Sequence, residues 1–142
     1  MAKSAKVFFD TNVLVYQHNR NEPAKQKLAQ RLIEDSIRNQ QAVISTQVVQ
    51  EFMNAALKKF DTQIPAAELE LVMVKVLKPL CQHGPDFEFY KRTLDLYQVN
   101  SLNFYDALII QAAIDLGCET LYSEDLQDGQ KFGRLTVKNP FA

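Results

Sequence analysis

Val7-Phe8-Phe9-Asp10-Thr11-Asn12 is the stretch that decides how this chain folds. A short apolar run of this kind reads as a buried strand. It stops at an acid followed by a hydroxyl and an amide. In open α/β sheets that is the place where the carboxyl end of a strand meets a crevice. Thr120-Leu121-Tyr122-Ser123-Glu124-Asp125 repeats the arrangement near the other end of the sequence. Two separate strands therefore deliver acids, Asp10 and Asp125, to the same edge of one sheet.

Working outward, strands and helices alternate. The pattern predicts a strand over 6–9, a short helix from Thr11, a helix over 23–39, a strand over 42–45, and helices over 47–60 and 66–78. After a break at Gln82-His83-Gly84-Pro85 come helices over 86–99 and 103–116, a strand over 119–122 and a last short strand over 134–137. Pro23 suits a first helical turn, Thr62-Gln63-Ile64-Pro65 separates two helices, and Gly117 stands where a helix ends in a left-handed residue. Such alternation implies the α/β class, with a central, mostly parallel sheet covered by helices on both faces. The polar segment 123–131 is the longest loop expected near the crevice, where loops at strand ends often carry function.

At 142 residues and 46% hydrophobic content, the chain fits one domain, 1–142, with one sizeable core. No apolar stretch approaches the roughly 20 residues a membrane span needs, and Met1-Ala2-Lys3-Ser4-Ala5-Lys6 has no signal-peptide character. A cytoplasmic protein with no membrane partner is expected, with Cys81 and Cys118 as free thiols without a chemical role. The net charge of −1 does not exclude nucleic acid, because neutralising four clustered carboxylates would leave about +3. Lys25, Lys27, Arg31, Arg38, Lys58, Lys59, Lys91 and Arg92 fall in expected helices, where a solvated face is the ordinary role of such residues.

Two further acids join Asp10 and Asp125. Glu51 borders the apolar face formed by Val48, Val49, Phe52, Ala55 and Ala56, so it can lean into a crevice without being buried alone. Asp106 falls in the first turn of the heavily apolar helix that starts at Asn103. Each acid has a plain structural role available: Asp10 as a helix cap, Asp106 as a favourable charge at a helix start, Asp125 as part of an acidic turn. Taken together, four acids at strand ends, in a first turn and on a sheet-facing helix edge point to a shared site. Clustered carboxylates raise one another's pKa unless a cation sits among them, and an all-oxygen donor set favours Mg²⁺ or Mn²⁺ over zinc. Such a site suits phosphodiester hydrolysis, in which a hard cation activates water and steadies the leaving oxygen. His18 and His83 lack zinc-site or triad spacing, and neither G-x-x-x-x-G-K-[ST] nor G-x-G-x-x-G occurs. Phe104 and Tyr105 could stack on bases, although aromatic residues opening a buried helix more often pack.

The ordered set Val7-Phe8-Phe9-Asp10-Thr11-Asn12, Thr46-Gln47-Val48-Val49-Gln50-Glu51-Phe52, Phe104-Tyr105-Asp106-Ala107-Leu108-Ile109 and Ser123-Glu124-Asp125 resembles PIN-domain ribonucleases of the VapC type, the toxin half of toxin–antitoxin pairs. The resemblance spans nearly the whole chain. It implies a three-layer α/β/α PIN fold, Mg²⁺- or Mn²⁺-dependent cleavage of RNA, a homodimer, and a cognate antitoxin whose tail occupies the site. It also implies that Asp10, Glu51, Asp106 and Asp125 form the acidic metal-binding set, supported by Asn12 and Ser123, with Asp128 as a further supporting acid. On that reading Asp10 and Asp125 contact the main metal, Asp106 assists, and Glu51 holds a ligand, a water or a second ion. Two rivals stand beside it: an aspartate-dependent phosphohydrolase or phosphotransferase, and a non-catalytic RNA- or protein-binding module.

Overall fold

Phe8 and Phe9 are both fully buried, and neighbouring strand residues point to opposite faces, so strand β1 (Val7–Phe9) is covered on both sides. The computed structural model describes residues 5–58 and 64–142. Strand β2 (Ala42–Ser45) is likewise buried at every position. Strands β3 (Cys81–His83), β4 (Thr120–Tyr122), β5 (Lys131–Phe132) and β6 (Leu135–Lys138) complete a sheet of order β3-β2-β1-β4-β6-β5. Every pairing is parallel except β5 with β6. Phe8 registers with Val43 on one side and Leu121 on the other, and Phe9 with Tyr122. From β1 the chain builds outward first through β2 and β3, then on the other side through β4 and β6. The order reverses between β1 and β4, and a sheet of this kind opens its crevice at such a point.

The helices are α1 (Thr11–Tyr16), α2 (Pro23–Arg38), α3 (Thr46–Lys58), α4 (Ala66–Val72), α5 (Lys78–Leu80), α6 (Phe87–Val99) and α7 (Phe104–Asp115). Positions 107–113 of α7 are all buried, so the body of this helix is enclosed on nearly all sides and its first turn emerges from that core. Asn103 caps it, accepting from Tyr105 N at 2.8 Å, and Gly117 follows its end at φ +74°. The Gly117 ending matches the sequence expectation.

Three differences from that expectation have local causes. The segment read as a break at 82–85 begins with the edge strand β3, whose polar residues give no apolar alternation and which pairs with β2 in an irregular register. The expected loop 123–131 ends in β5, too short to show a period, which turns back into β6 through Gly133 at φ +61°. The helix expected over 66–78 runs on to Leu80 through a π turn at Met73–Leu77. There Lys78 N bonds Met73 O, five residues back, just before Pro79, whose ring lacks an N–H and clashes with the carbonyl of a regular turn. Lys59, Phe60, Thr62 and Gln63, which the sequence assigns to a helix end and the following break, lie outside the described residues.

Candidate active site

Asp10 sits where β1 hands over to α1, and it is only 8% exposed. Its Oδ1 accepts from Thr11 N at 2.8 Å, capping α1, and its Oδ2 accepts from Ser123 Oγ–H at 2.8 Å. One oxygen of the carboxylate therefore caps the helix while the other is held by Ser123. Ser123 is fully buried, and its Oγ in turn accepts from Asp125 N at 3.2 Å and Leu126 N at 3.3 Å. Asn12 closes the arrangement: Nδ2 donates to Asp125 Oδ2 at 3.1 Å, and Oδ1 accepts from Glu124 N at 3.2 Å. Asn12 and Ser123 thus clamp the loop after β4 onto the start of α1, which brings Asp10 and Asp125 together across the reversal of strand order.

Glu51 and Asp106 approach from the helices. Thr11 Oγ1–H donates to Glu51 Oε1 at 2.7 Å, tying α3 to α1. Gln47 Nε2 donates to Tyr105 O at 3.3 Å, tying α3 to the turn that carries Asp106. Asp10, Glu51, Asp106 and Asp125 all line one cavity of about 570 Å³. Burial pushes the Asp10 carboxyl up to about 6, with the charges of Glu51 and Asp125 adding to the effect and the bonds from Ser123 and Thr11 opposing it. Asp106 is also raised, by burial first and then by the charges of Asp125 and Glu51. Among the described residues no cation forms an ion pair with any of the four acids.

Among the described residues no group of three or more Asp, Glu, His or Cys side chains stands close enough to hold an ion unaided. A donor set of this sort suits a cation that keeps several waters and takes one or two carboxylates plus substrate phosphate, which is how Mg²⁺ is usually bound.

Asp128 is not part of the cavity. It is exposed, and its Oδ1 accepts from Asn139 N at 2.8 Å, anchoring the chain beyond β6. Several residues that the sequence left without a role do line the cavity, among them Tyr16, His18, Arg20 and Glu124. Glu124 takes Lys25 Nζ on Oε2 at 2.7 Å and Tyr16 O–H on Oε1 at 2.7 Å, while Lys25 Nζ lies 4.8 Å from the centre of the Tyr16 ring. This knot fixes the residue next to Asp125 to α1 and α2. Adjacency of Glu124 to Asp125 was the one available sequence signal. Tyr105, read as packing, is 65% exposed at the cavity mouth.

A mostly parallel sheet covered by helices, with acids gathered at its point of reversal, defines the α/β class with an acidic crevice. The family model for the PIN domain matches residues 7–131, and the chain belongs to that family. Its structure is similar to a toxin–antitoxin complex from Klebsiella pneumoniae, with TM-score 0.66 and 21% identity over 95% of this chain and 98% of the other. It is also similar to VapBC2 from Rickettsia felis bound to a DNA fragment from their promoter, with TM-score 0.58 and 17% identity over 94% and 97%. No curated protein matches the chain in sequence. At these identities the two structures bear on the fold.

Proposed function

We propose that this PIN domain is a Mg²⁺- or Mn²⁺-dependent endoribonuclease, the VapC-type toxin of a toxin–antitoxin pair. The observation that carries the proposal is four carboxylates from four separate elements lining one cavity, one of them buried and pushed up to about 6, none of them in an ion pair with a protein cation among the described residues. Asp10 and Asp125, clamped together by Ser123 and Asn12, would hold the main ion, with Asp106 beside them and Glu51 positioning a water or a second ion. The bound cation supplies an activated water and charge stabilisation for the leaving oxygen.

The protein's own part is positional. Ser123 holds Asp10 as a carboxylate by donating to it. Thr11 and Gln47 aim Glu51, and α7 presents Asp106 from the turn just before its buried positions. The aspartyl phosphotransfer alternative fits this geometry poorly. The residue two past Asp10 is Asn12, and its amide is taken up by Asp125 and Glu124.

The similarity to structures of toxin–antitoxin complexes supports an antitoxin partner, and a cationic side chain from it would suit the acidic mouth. A homodimer and action in the cytoplasm complete the reading. No helix among the described residues is long and apolar enough to cross a membrane. The test is incubation of purified protein with structured RNA, with Mn²⁺ and with EDTA. Internal cleavage that EDTA abolishes supports the reading. Phosphatase activity without RNA cleavage sinks it in favour of the phosphotransfer rival, and binding without either activity favours a non-catalytic module.

A further inference from the structure

A second cavity, of about 210 Å³, adjoins the acidic one and shares Gln47 and Tyr105 with it. It lies between the end of β2, the start of α3 and helices α6 and α7, and no lysine, arginine or carboxylate lines it. Its walls are aromatic and amide-bearing: Tyr90, Tyr105, Phe89, His83, Gln47 and Gln50. Tyr90 is 39% exposed and Tyr105 is 65% exposed, so both present ring surface to solvent. The wall behind them is fixed. His83 lies edge-on to Phe89 with ring centres 4.5 Å apart, and its Nε2 is 3.6 Å from Asp115 Oδ2. Asp115 is in turn held by Arg92 through Nε at 3.2 Å and Nη2 at 2.7 Å.

Resting on the ribonuclease reading, we propose that this second cavity seats one unpaired base of the RNA, next to the phosphodiester held at the acidic mouth. A lining without lysine or arginine offers little to a phosphate, which needs cations or a metal, and accepts a flat neutral ring, which stacks on aromatic side chains and bonds to amides. The volume is below that of a drug-sized pocket and suits a single ring system. Continuity through Gln47 and Tyr105 places that base beside the reacting phosphate. The substrate class is therefore RNA that is single-stranded at the cut, since a base paired in a duplex cannot enter.

The test uses short single-stranded RNAs with one 2-aminopurine placed in turn at each position, mixed with the full chain and Mg²⁺ and read within the first turnover. The expected result is quenching at one position beside the cut, binding weakened about 5- to 150-fold by Tyr90→Ala and retained by Tyr90→Phe, and no quenching with the same strand in a duplex. Tyr105→Ala, at a more exposed position, is the second variant and carries the same expectation should Tyr90→Ala fail to fold. Normal RNA cleavage with quenching unchanged in both alanine variants overturns the base cavity and leaves the nuclease standing. Tyr90-dependent quenching in a protein that cleaves no RNA keeps the cavity and overturns the ribonuclease reading. Absence of both overturns both.

Discussion

Replacing Asp10 by asparagine should stabilise the metal-free protein at neutral pH, although it removes a central site residue. Burial raises the folded-state value of Asp10 from 3.8 to about 6, so the fold holds this proton more tightly than the unfolded chain does. The associated stability is fully present below the unfolded value and is lost as pH rises through the folded one. Between those limits roughly 2 units are at stake, which at about 1.4 kcal/mol per unit amounts to ~3 kcal/mol. Asparagine keeps the volume and cannot ionise, but it offers one carbonyl oxygen where Asp10 accepts from both Thr11 N and Ser123 Oγ. A lost hydrogen bond costs about 1 kcal/mol, which leaves a net gain of about 2 kcal/mol. Urea denaturation in EDTA, repeated from about pH 4 to about pH 7, should show the Asp10→Asn advantage growing with pH at an unchanged denaturant slope. Adding Mn²⁺ should reverse the order, with wild type gaining about 2.7 kcal/mol at a free concentration of 100 times its dissociation constant. An Asp10→Asn protein no more stable than wild type in EDTA at neutral pH, or a difference independent of pH, would refute the argument from burial.

Ser123→Ala removes the donor that favours the Asp10 carboxylate, so the acid limb of the RNA-cleavage pH profile should move upward. An unmoved limb would show that Asp10 ionisation does not control the rate. Phe8→Ala, at a fully buried central-strand position, should cost about 3–5 kcal/mol in chemical denaturation, and a loss below 1 kcal/mol would contradict the packing described for β1. Expression alone should slow growth, with relief by a small co-encoded protein that covers the acidic mouth. Harmless expression and no such partner would remove the toxin assignment while leaving the PIN fold intact.

The elements legible in the sequence were those with a strong pattern. Phe8-Phe9, Val43-Ile44 and Leu121 gave buried strands, and the unbroken apolar run of α7 gave a buried helix. The edge strand β3 and the two-residue β5 carry too little apolar pattern to be seen, and the π turn answers to Pro79 through backbone geometry that no side-chain period records. At the site, acids at strand ends and in a first turn could be found because the fold class says where such positions converge. Thr11 on Glu51, Gln47 on Tyr105 and Lys25 on Glu124 join residues distant in sequence, and only the packed helices show that they meet. Asp128, named as a supporting acid only through the family resemblance, does not line the cavity and instead accepts from Asn139 N, a contact between loop and chain end that no local pattern records.

The most direct test of the central claim is single-turnover cleavage of a single-stranded RNA in Mn²⁺ by wild type and Asp10→Ala protein, purified side by side and matched by circular dichroism. Deleting the carboxylate removes little volume and takes away the two oxygens that accept from Thr11 N and Ser123 Oγ–H beside the cavity. The expected result is cleavage by wild type, abolished in EDTA, and at least a hundredfold slower cleavage by the variant, a loss equivalent to about 2.7 kcal/mol of barrier. Equal rates for the two proteins would contradict the assignment of this cavity as the catalytic site.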